Sequence, residues 1–162
     1  MLETTPASVN SAMQRARASI EDKLPQQSQQ ATLRSLEDDE IRELVERYVD
    51  AWDRGDVDGV VAMLAEDATF SMPPNERWFR GREPIRAFLP TGPLSIRRRF
   101  LPIRASGQLA FGTYREHEGR MIPNAVHVIT LDGPVIGDAV AFLMPELFPA
   151  FGLPGELPPR AR

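Results

Sequence analysis

The change in the spacing of apolar residues near residue 94 constrains this chain more than any other feature of its sequence. Before it, apolar residues recur at steps of three and four, which is typical of helices that bury one face. After it come four segments with β character, over 96–105, 108–117, 124–131 and 135–143. The separators carry turn dipeptides, Ser106-Gly107, Glu118-Gly119 and Asp132-Gly133. Because parallel strands need a crossover of a dozen or more residues, separators this short predict neighbouring antiparallel strands and an α+β domain with one curved sheet around its helices.

The first helix is predicted to begin at Thr5, which can cap the free backbone N–H groups, with Pro6 in its first turn. Apolar residues follow on one side at helical spacing up to the end near Lys23: Val9, Ala12, Met13, Ala16 and Ile20. The stretch 24–36 is rich in Gln and Ser without apolar periodicity, so it is predicted to be a linker.

A strongly amphipathic helix is predicted over 37–52, and Asp56 is placed to cap a second helix that continues to about Leu64. A short strand over 68–72 and a short helix over 81–89 complete the helical half. The predicted organisation is therefore an N-terminal helix (1–23), a linker (24–36), one domain (37–154) and a flexible tail (155–162).

Composition excludes several classes of protein. The net charge of −4 argues against coating nucleic acid by bulk charge, and no apolar run approaches the length of a membrane span. The absence of cysteine removes disulfides, thiolate nucleophiles and cysteine zinc sites. Two histidines ten residues apart are too few for a metal centre, so neither a metal nor a cofactor is predicted. No secretory signal is recognisable at the N-terminus, which favours a cytoplasmic protein.

Two sequence blocks, AWDRGDVDGVVAMLAEDATFSMPP and RGREPIRAFL, resemble the opening of SnoaL-like and ketosteroid-isomerase-like domains. The resemblance spans most of residues 38–145. It implies the cone-shaped α+β fold of nuclear transport factor two, in which helices pack inside a curved sheet. It does not select an activity, because this fold serves isomerases, cyclases, dehydratases and purely binding domains.

The opening segment TTPASVNSAMQRARASI resembles the last helix of the region-four helix-turn-helix of extracytoplasmic-function sigma factors, which reads the promoter −35 element. The segments RASGQLAFGTY, HVITLDG and FLMPELFPAFGLP resemble the C-terminal domain of the SigG-like members of that family. Together these resemblances imply that RNA polymerase core and promoter DNA are partners. The chain is expected to be the C-terminal part of such a factor, since too few residues precede Thr5 to form the first helix of the motif.

The resemblance assigns DNA contacts to the polar face of the first helix. The matching positions are Ser8, Asn10, Ser11, Gln14 and Arg15. Arg and Gln suit bidentate contacts to bases, while Ser and Asn can bind bases or phosphates. The alternative is an ordinary solvated helix face.

Ketosteroid-isomerase chemistry needs a carboxylate base and an oxyanion hole made by a Tyr and a protonated acid. The resemblance places Tyr48 at the tyrosine, Met72 at the base and His127 at the second acid. A thioether is not a useful base near neutral pH, so no catalytic residue is predicted. Strand alternation predicts that His127 faces inward with Ile129. The pocket candidates are therefore His127 together with Tyr48, Trp52 and Met72. The alternative is that they are simply core residues.

The run Arg97 to Arg99 is predicted to alternate between the two faces of a strand, as a solvated surface or a docking patch for an acidic partner. The whole sequence favours a non-enzymatic regulatory part of a sigma factor. Three alternatives stay open: an isomerase or cyclase, a protein that binds a small apolar ligand, and a homodimer formed through the sheet.

Overall fold

The computed structural model describes residues 5–21, 28–36 and 38–158, and it has an α+β fold built on one six-stranded sheet. The helices are α1 Pro6–Glu21, α2 Gln29–Ser35, α3 Asp38–Arg54, α4 Val57–Ala62 and α5 Arg82–Phe88. The strands are β1 Leu64–Met72, β2 Asn75–Arg80, β3 Arg98–Ala105, β4 Gln108–His117, β5 Arg120–Asp132 and β6 Val135–Phe142. Two 3₁₀ segments cover Pro93–Ser95 and Pro145–Phe151. The predicted fold class is confirmed.

The order of strands in the sheet is β2-β1-β6-β5-β4-β3. The predicted antiparallel meander forms from β3 to β6, and β2 pairs antiparallel with β1. However, β1 pairs parallel with β6, so the prediction of a wholly antiparallel sheet is wrong at this point. This contact joins segments far apart in sequence, and no local turn signal encodes it. Strand β2 was not predicted because its charged, mostly exposed sequence NERWFR lacks an alternating apolar face.

Two hairpin turns adopt the backbone conformation that their sequences favour. Ser106 and Gly107 have φ angles of 50° and 75°, and Glu118 and Gly119 have φ angles of 51° and 77°. Positive φ at both central residues is the type I′ pattern, whose twist matches that of the flanking strands. The turns therefore hold β3, β4 and β5 in consecutive antiparallel register.

Helix α1 begins where the sequence predicts. The Thr5 hydroxyl oxygen accepts a hydrogen bond from the backbone N–H of Ser8 at 3.3 Å, which confirms the predicted cap. Side chains 5–19 are all exposed, including 43% of Val9 and 47% of Met13. The predicted end of this helix near Lys23 lies outside the described residues. No helix in the described stretches is long and apolar enough to cross a bilayer.

Helix α2 corrects the prediction of a linker over 24–36. Ser28 caps the helix by accepting the N–H of Ala31 at 3.2 Å. The Gln29 side-chain amide then donates to the carbonyl of Leu131 and accepts the N–H of the same residue, both at 2.7 Å. Leu131 lies just beyond the last β4–β5 residue pair, Leu109 with Ile129, so Gln29 replaces the missing strand partner. A polar sequence is ordered here because its side chain completes a backbone ladder.

The helical hairpin α3–α4 confirms the strongest prediction from helical spacing. The buried residues of α3 are Ile41, Leu44, Tyr48, Ala51 and Trp52. The Asp56 carboxylate accepts the N–H of Gly59 at 2.8 Å, as expected of a helix cap. Helix α4 ends at Ala62, earlier than predicted, and Leu64 already belongs to β1.

Both faces of the sheet carry apolar clusters. The larger cluster joins the buried face of α3 to the concave face of the sheet. The smaller one lies on the other face and contains Tyr114, Met121, Val126, Phe148 and Leu157.

The predicted flexible tail over 155–162 is wrong for residues 155–158. Leu157 is buried, and its N–H donates to the Met121 carbonyl at 3.0 Å. Arg120 and Glu156 form an ion pair, with Nε to Oε1 at 2.7 Å. Residues 155–158 are held because Leu157 covers apolar side chains on the outer face of β4 and β5. The Pro- and Gly-rich composition did not indicate this contact. Residues 159–162 lie outside the described part of the chain.

Candidate functional site

A cavity of about 230 Å³ lies between α3, the β1–β2 hairpin and the concave face of the sheet. Its walls include apolar side chains from several elements: Trp52, Phe70, Met72, Phe88, Phe100, Ala141 and Leu143. Its polar lining consists of Asn75, Arg77, Arg98, Thr113, Asn124 and His127. An apolar pocket with a few convergent polar groups is the usual form of a small-molecule site.

Three of the four predicted pocket residues line this cavity: Trp52, Met72 and His127. Tyr48 does not line it. Its ring lies behind the wall, stacked on Phe111 at 5.3 Å between ring centroids, because the buried stripe of α3 turns it into the core. Tyr48 contacts the polar part of the wall through His127, whose Nε2 lies 3.1 Å from the tyrosine hydroxyl oxygen.

His127 is a buried neutral imidazole. It is 2% exposed, as strand alternation predicts, and its ring centroid lies 5.7 to 5.9 Å from those of Phe100, Phe70 and Trp52. Burial, with a smaller contribution from the nearby charge of Arg98, lowers the pKa of His127 to about 3. Its ring is therefore uncharged near neutral pH.

The Tyr48 hydroxyl also keeps its proton near neutral pH. Burial raises the pKa of Tyr48 above its ordinary value, against a smaller lowering by the Trp52 indole. The Trp52 Nε1 is buried, and its contact with the Tyr48 hydroxyl is weaker than a hydrogen bond of normal geometry. Tyr48 and His127 thus form a neutral hydrogen-bonded pair.

Arg98 is the half-buried charged group of the cavity, and it was missed as a site residue. Its Nε donates to the Pro93 carbonyl. Burial, together with the smaller effect of the nearby charge of Arg115, lowers the pKa of Arg98 to about 10, so the guanidinium stays protonated near neutral pH. Strand alternation predicts that Arg98 lies on the opposite face of β3 from Arg97 and Arg99. The buried Phe100, two positions further along, shares the face of Arg98, and this was the sequence signal that Arg98 faces inward.

The cavity has no carboxylate among its described lining residues. Met72 occupies the wall where the family resemblance places a catalytic base. A thioether there cannot abstract a proton, and the neutral Tyr48–His127 pair lies in an aromatic cage. The arrangement can hold an apolar ligand and donate hydrogen bonds to it.

The five predicted DNA-contacting residues, Ser8, Asn10, Ser11, Gln14 and Arg15, all lie exposed on α1. At 3.6 residues per turn they span roughly 160° of the helix surface, opposite Val9 and Met13. The Ser8 hydroxyl donates to the Thr5 carbonyl at 3.0 Å. The assignment to DNA stays a prediction.

Comparison with curated proteins finds similarity to ECF RNA polymerase sigma factor SigG from two strains of Mycobacterium tuberculosis. Each is 30% identical over 159 residues, which cover 95% of this chain and 42% of the relative. The chain thus spans about two fifths of the length of the curated relatives it matches.

Comparison with solved structures finds the same architecture at low identity. An NTF-2-like protein from Burkholderia xenovorans LB400 is 18% identical, with a TM-score of 0.56 over 64% of this chain and 82% of that chain. A SnoaL-like protein from Burkholderia thailandensis E264 is 16% identical, with a TM-score of 0.52 over 65% of this chain and 94% of that chain. These neighbours confirm the predicted cone-shaped fold.

The family model of the SnoaL-like domain matches residues 45–133. That range runs from the middle of α3, through the β1–β2 hairpin and α5, to the end of β5. It contains most of the cavity wall, including His127 and Arg98. The chain therefore belongs to the SnoaL-like domain family.

Proposed function

We propose that this chain is the C-terminal regulatory part of an extracytoplasmic-function sigma factor and that it modulates how RNA polymerase engages promoter DNA. The observation that carries the proposal is the similarity to SigG, which extends over 95% of this chain and therefore beyond the SnoaL-like domain alone. In this role its partners are RNA polymerase core and promoter DNA, and its place of action is the cytoplasm.

The exposed α1 supports this proposal. Its five polar candidates share one side of the helix, as a recognition helix in a major groove requires. Arg15 and Gln14 would make base contacts, while the shorter Ser and Asn side chains would bind phosphates or bases. Because a single exposed helix is marginal in water, α1 would read DNA only when the rest of a helix-turn-helix braces it.

The cavity supports a non-enzymatic role. A base for proton transfer must be within hydrogen-bond reach of the substrate and hold a suitable pKa. Within the described lining the only ionisable side chains are two arginines and a histidine that is kept neutral. The site is better suited to binding than to turnover.

The test uses a sigma factor that contains this chain as its C-terminal part. Deleting the segment that corresponds to residues 25–162 is expected to change the level or promoter choice of transcription by purified polymerase in vitro. A Gln14→Ala/Arg15→Ala variant of the intact factor is expected to weaken promoter binding, while the exposed Arg42→Ala serves as a matched control. Unchanged activity and promoter choice after the deletion would contradict the proposal.

The alternative function is an isomerase or cyclase that uses the Tyr48–His127 pair, whose 3.1 Å contact at the cavity wall favours it. It predicts turnover of a member of a panel of steroids, polyketides and small lactones, and loss of that turnover in His127→Ala with the fold retained. If the intact protein turns over none of the panel, this alternative loses its support.

A further inference from the structure

The charged side chains among the described lining residues of the cavity are all positive. Arg98 and Arg77 contribute two guanidinium groups, and no Asp or Glu lies among the described lining residues. Neither arginine forms an ion pair with another described residue. Arg77 is exposed at the rim, whereas Arg98 is half-buried against the aromatic wall. A cation without a partner in low-dielectric surroundings attracts an anion more strongly than one in water.

The hydrogen-bonding groups of Arg98 are only partly used. Its Nε donates to the Pro93 carbonyl, which fixes the plane of the guanidinium. Its two terminal amino groups have no hydrogen-bond partner among residues 5–21, 28–36 and 38–158. A guanidinium presents its N–H groups as a fork that matches the two oxygens of a carboxylate.

Trp52 supplies a buried ring to the cavity wall. Its indole is 2% exposed and lines the cavity. It stacks on Phe100 with 4.9 Å between ring centroids, so this part of the wall is a packed aromatic surface. Such a surface favours the hydrocarbon part of a ligand over a second charged group.

The remaining wall is neutral and apolar. Phe70, Phe88 and Phe100 supply ring faces, and His127 is uncharged. A doubly charged group held at Arg98 would have its second charge beside these rings, because the other guanidinium, that of Arg77, lies exposed at the rim; this disfavours phosphate esters and dicarboxylates. The volume of about 230 Å³ lies below the ~300 to 1,000 Å³ of sites for drug-sized ligands.

We propose that this cavity binds a small, largely apolar monocarboxylic acid, with its carboxylate at the free amino groups of Arg98 and its hydrocarbon part among the rings of Trp52, Phe70 and Phe100. The proposal does not depend on the role in transcription. Its test measures binding to the purified chain, so either conclusion can fail without the other.

The test uses the fluorescence of Trp52. The chain has two tryptophans, and Trp78 is 59% exposed, so Trp78→Phe leaves Trp52 as the single reporter. The probe is hydrocinnamate, a phenyl ring on a short chain that ends in a carboxylate. Its neutral amide, hydrocinnamamide, has nearly the same shape without the charge. The acid is expected to bind about tenfold or more tightly than the amide.

The matched variants are Arg98→Met and Arg97→Met in the same background. Arg97 has the same charge one position away, but its side chain is 77% exposed. Arg98→Met is expected to reduce the preference for the acid to about one, while Arg97→Met keeps it. No binding of the acid, an equal affinity for acid and amide in the parent, or an unchanged preference in Arg98→Met would each overturn the proposal.

Circular dichroism establishes whether Arg98→Met folds. If it does not, Arg98→Lys provides the decisive comparison, because lysine retains the charge but cannot form two parallel hydrogen bonds to a carboxylate. This variant is expected to weaken binding of the acid several-fold and to leave the affinity for the amide unchanged. An unchanged affinity for the acid would refute the assigned contact.

Discussion

The buried His127 makes the stability of this protein depend on pH in a defined window. Its pKa is about 3 in the folded chain and about 6.5 when unfolded. Between these two pKa values the imidazole of His127 binds a proton in the unfolded state but not in the folded state. The free energy of unfolding therefore falls as the pH falls from about 6.5 toward 3. Full stabilisation by the neutral ring is present above about pH 6.5. The slope approaches about 1.4 kcal/mol per pH unit inside the window, which gives a loss of about 2 kcal/mol between about pH 7.5 and 5.0.

Urea unfolding followed by circular dichroism at several pH values measures this loss. His127→Gln is the informative variant, because the amide can still bond to the Tyr48 hydroxyl but does not titrate in this range. Its stability is expected to vary little above about pH 5, where carboxylates begin to contribute. The exposed His117 is the matched control, and His117→Gln is expected to retain the full slope. A flat profile in the parent, or the same slope in His127→Gln, would refute the argument from burial.

Three further substitutions test how the fold is held. Gln29→Ala removes two hydrogen bonds to Leu131 and is expected to cost about 1 to 3 kcal/mol in urea unfolding; a loss near zero would mean that α2 does not depend on them. Gly112→Ala places a Cβ in steric conflict with the methyl groups of the half-buried Leu153, which must move, and is expected to cost about 1 kcal/mol, whereas Gly155→Ala, with open space around it, should be nearly neutral. Asp56→Ala removes the cap of α4 and is expected to lower the thermal midpoint through a loss of about 1 kcal/mol; an unchanged midpoint would contradict the capping role.

The elements with a local physical signal were predictable. The stripe of α3 repeats at the helical period, and the cap at Asp56 and the turn at Ser106-Gly107 are chosen by short-range chemistry. The elements that the sequence did not predict depend on partners that are distant in sequence. Helix α2 is ordered by a hydrogen bond from Gln29 to Leu131, about a hundred residues away in sequence, and residues 155–158 are held by the hydrogen bond from Leu157 to Met121.

The residues of the candidate site also differ in whether a local sequence signal predicts their position. Trp52 and His127 could be placed in a cavity because helical stripe and strand alternation determine which side of an element faces inward. Tyr48 shares that stripe but lies one layer deeper, a difference that only the packing of aromatic rings decides. Arg98 was assigned to the right strand and separated from its neighbours, yet nothing local indicated that its face borders a cavity.

The sequence by itself determined the α+β class, the helical hairpin α3–α4 and the antiparallel meander β3–β6, because periodicity and turn chemistry are properties of short segments. Only the tertiary structure decided the parallel pairing of β1 with β6, the covering of the outer face by Leu157, and the position of Arg98 in an aromatic cavity without an ion-pair partner among the described residues. These features depend on which distant surfaces meet, and the free energy of such contacts exists only once the chain has closed around them.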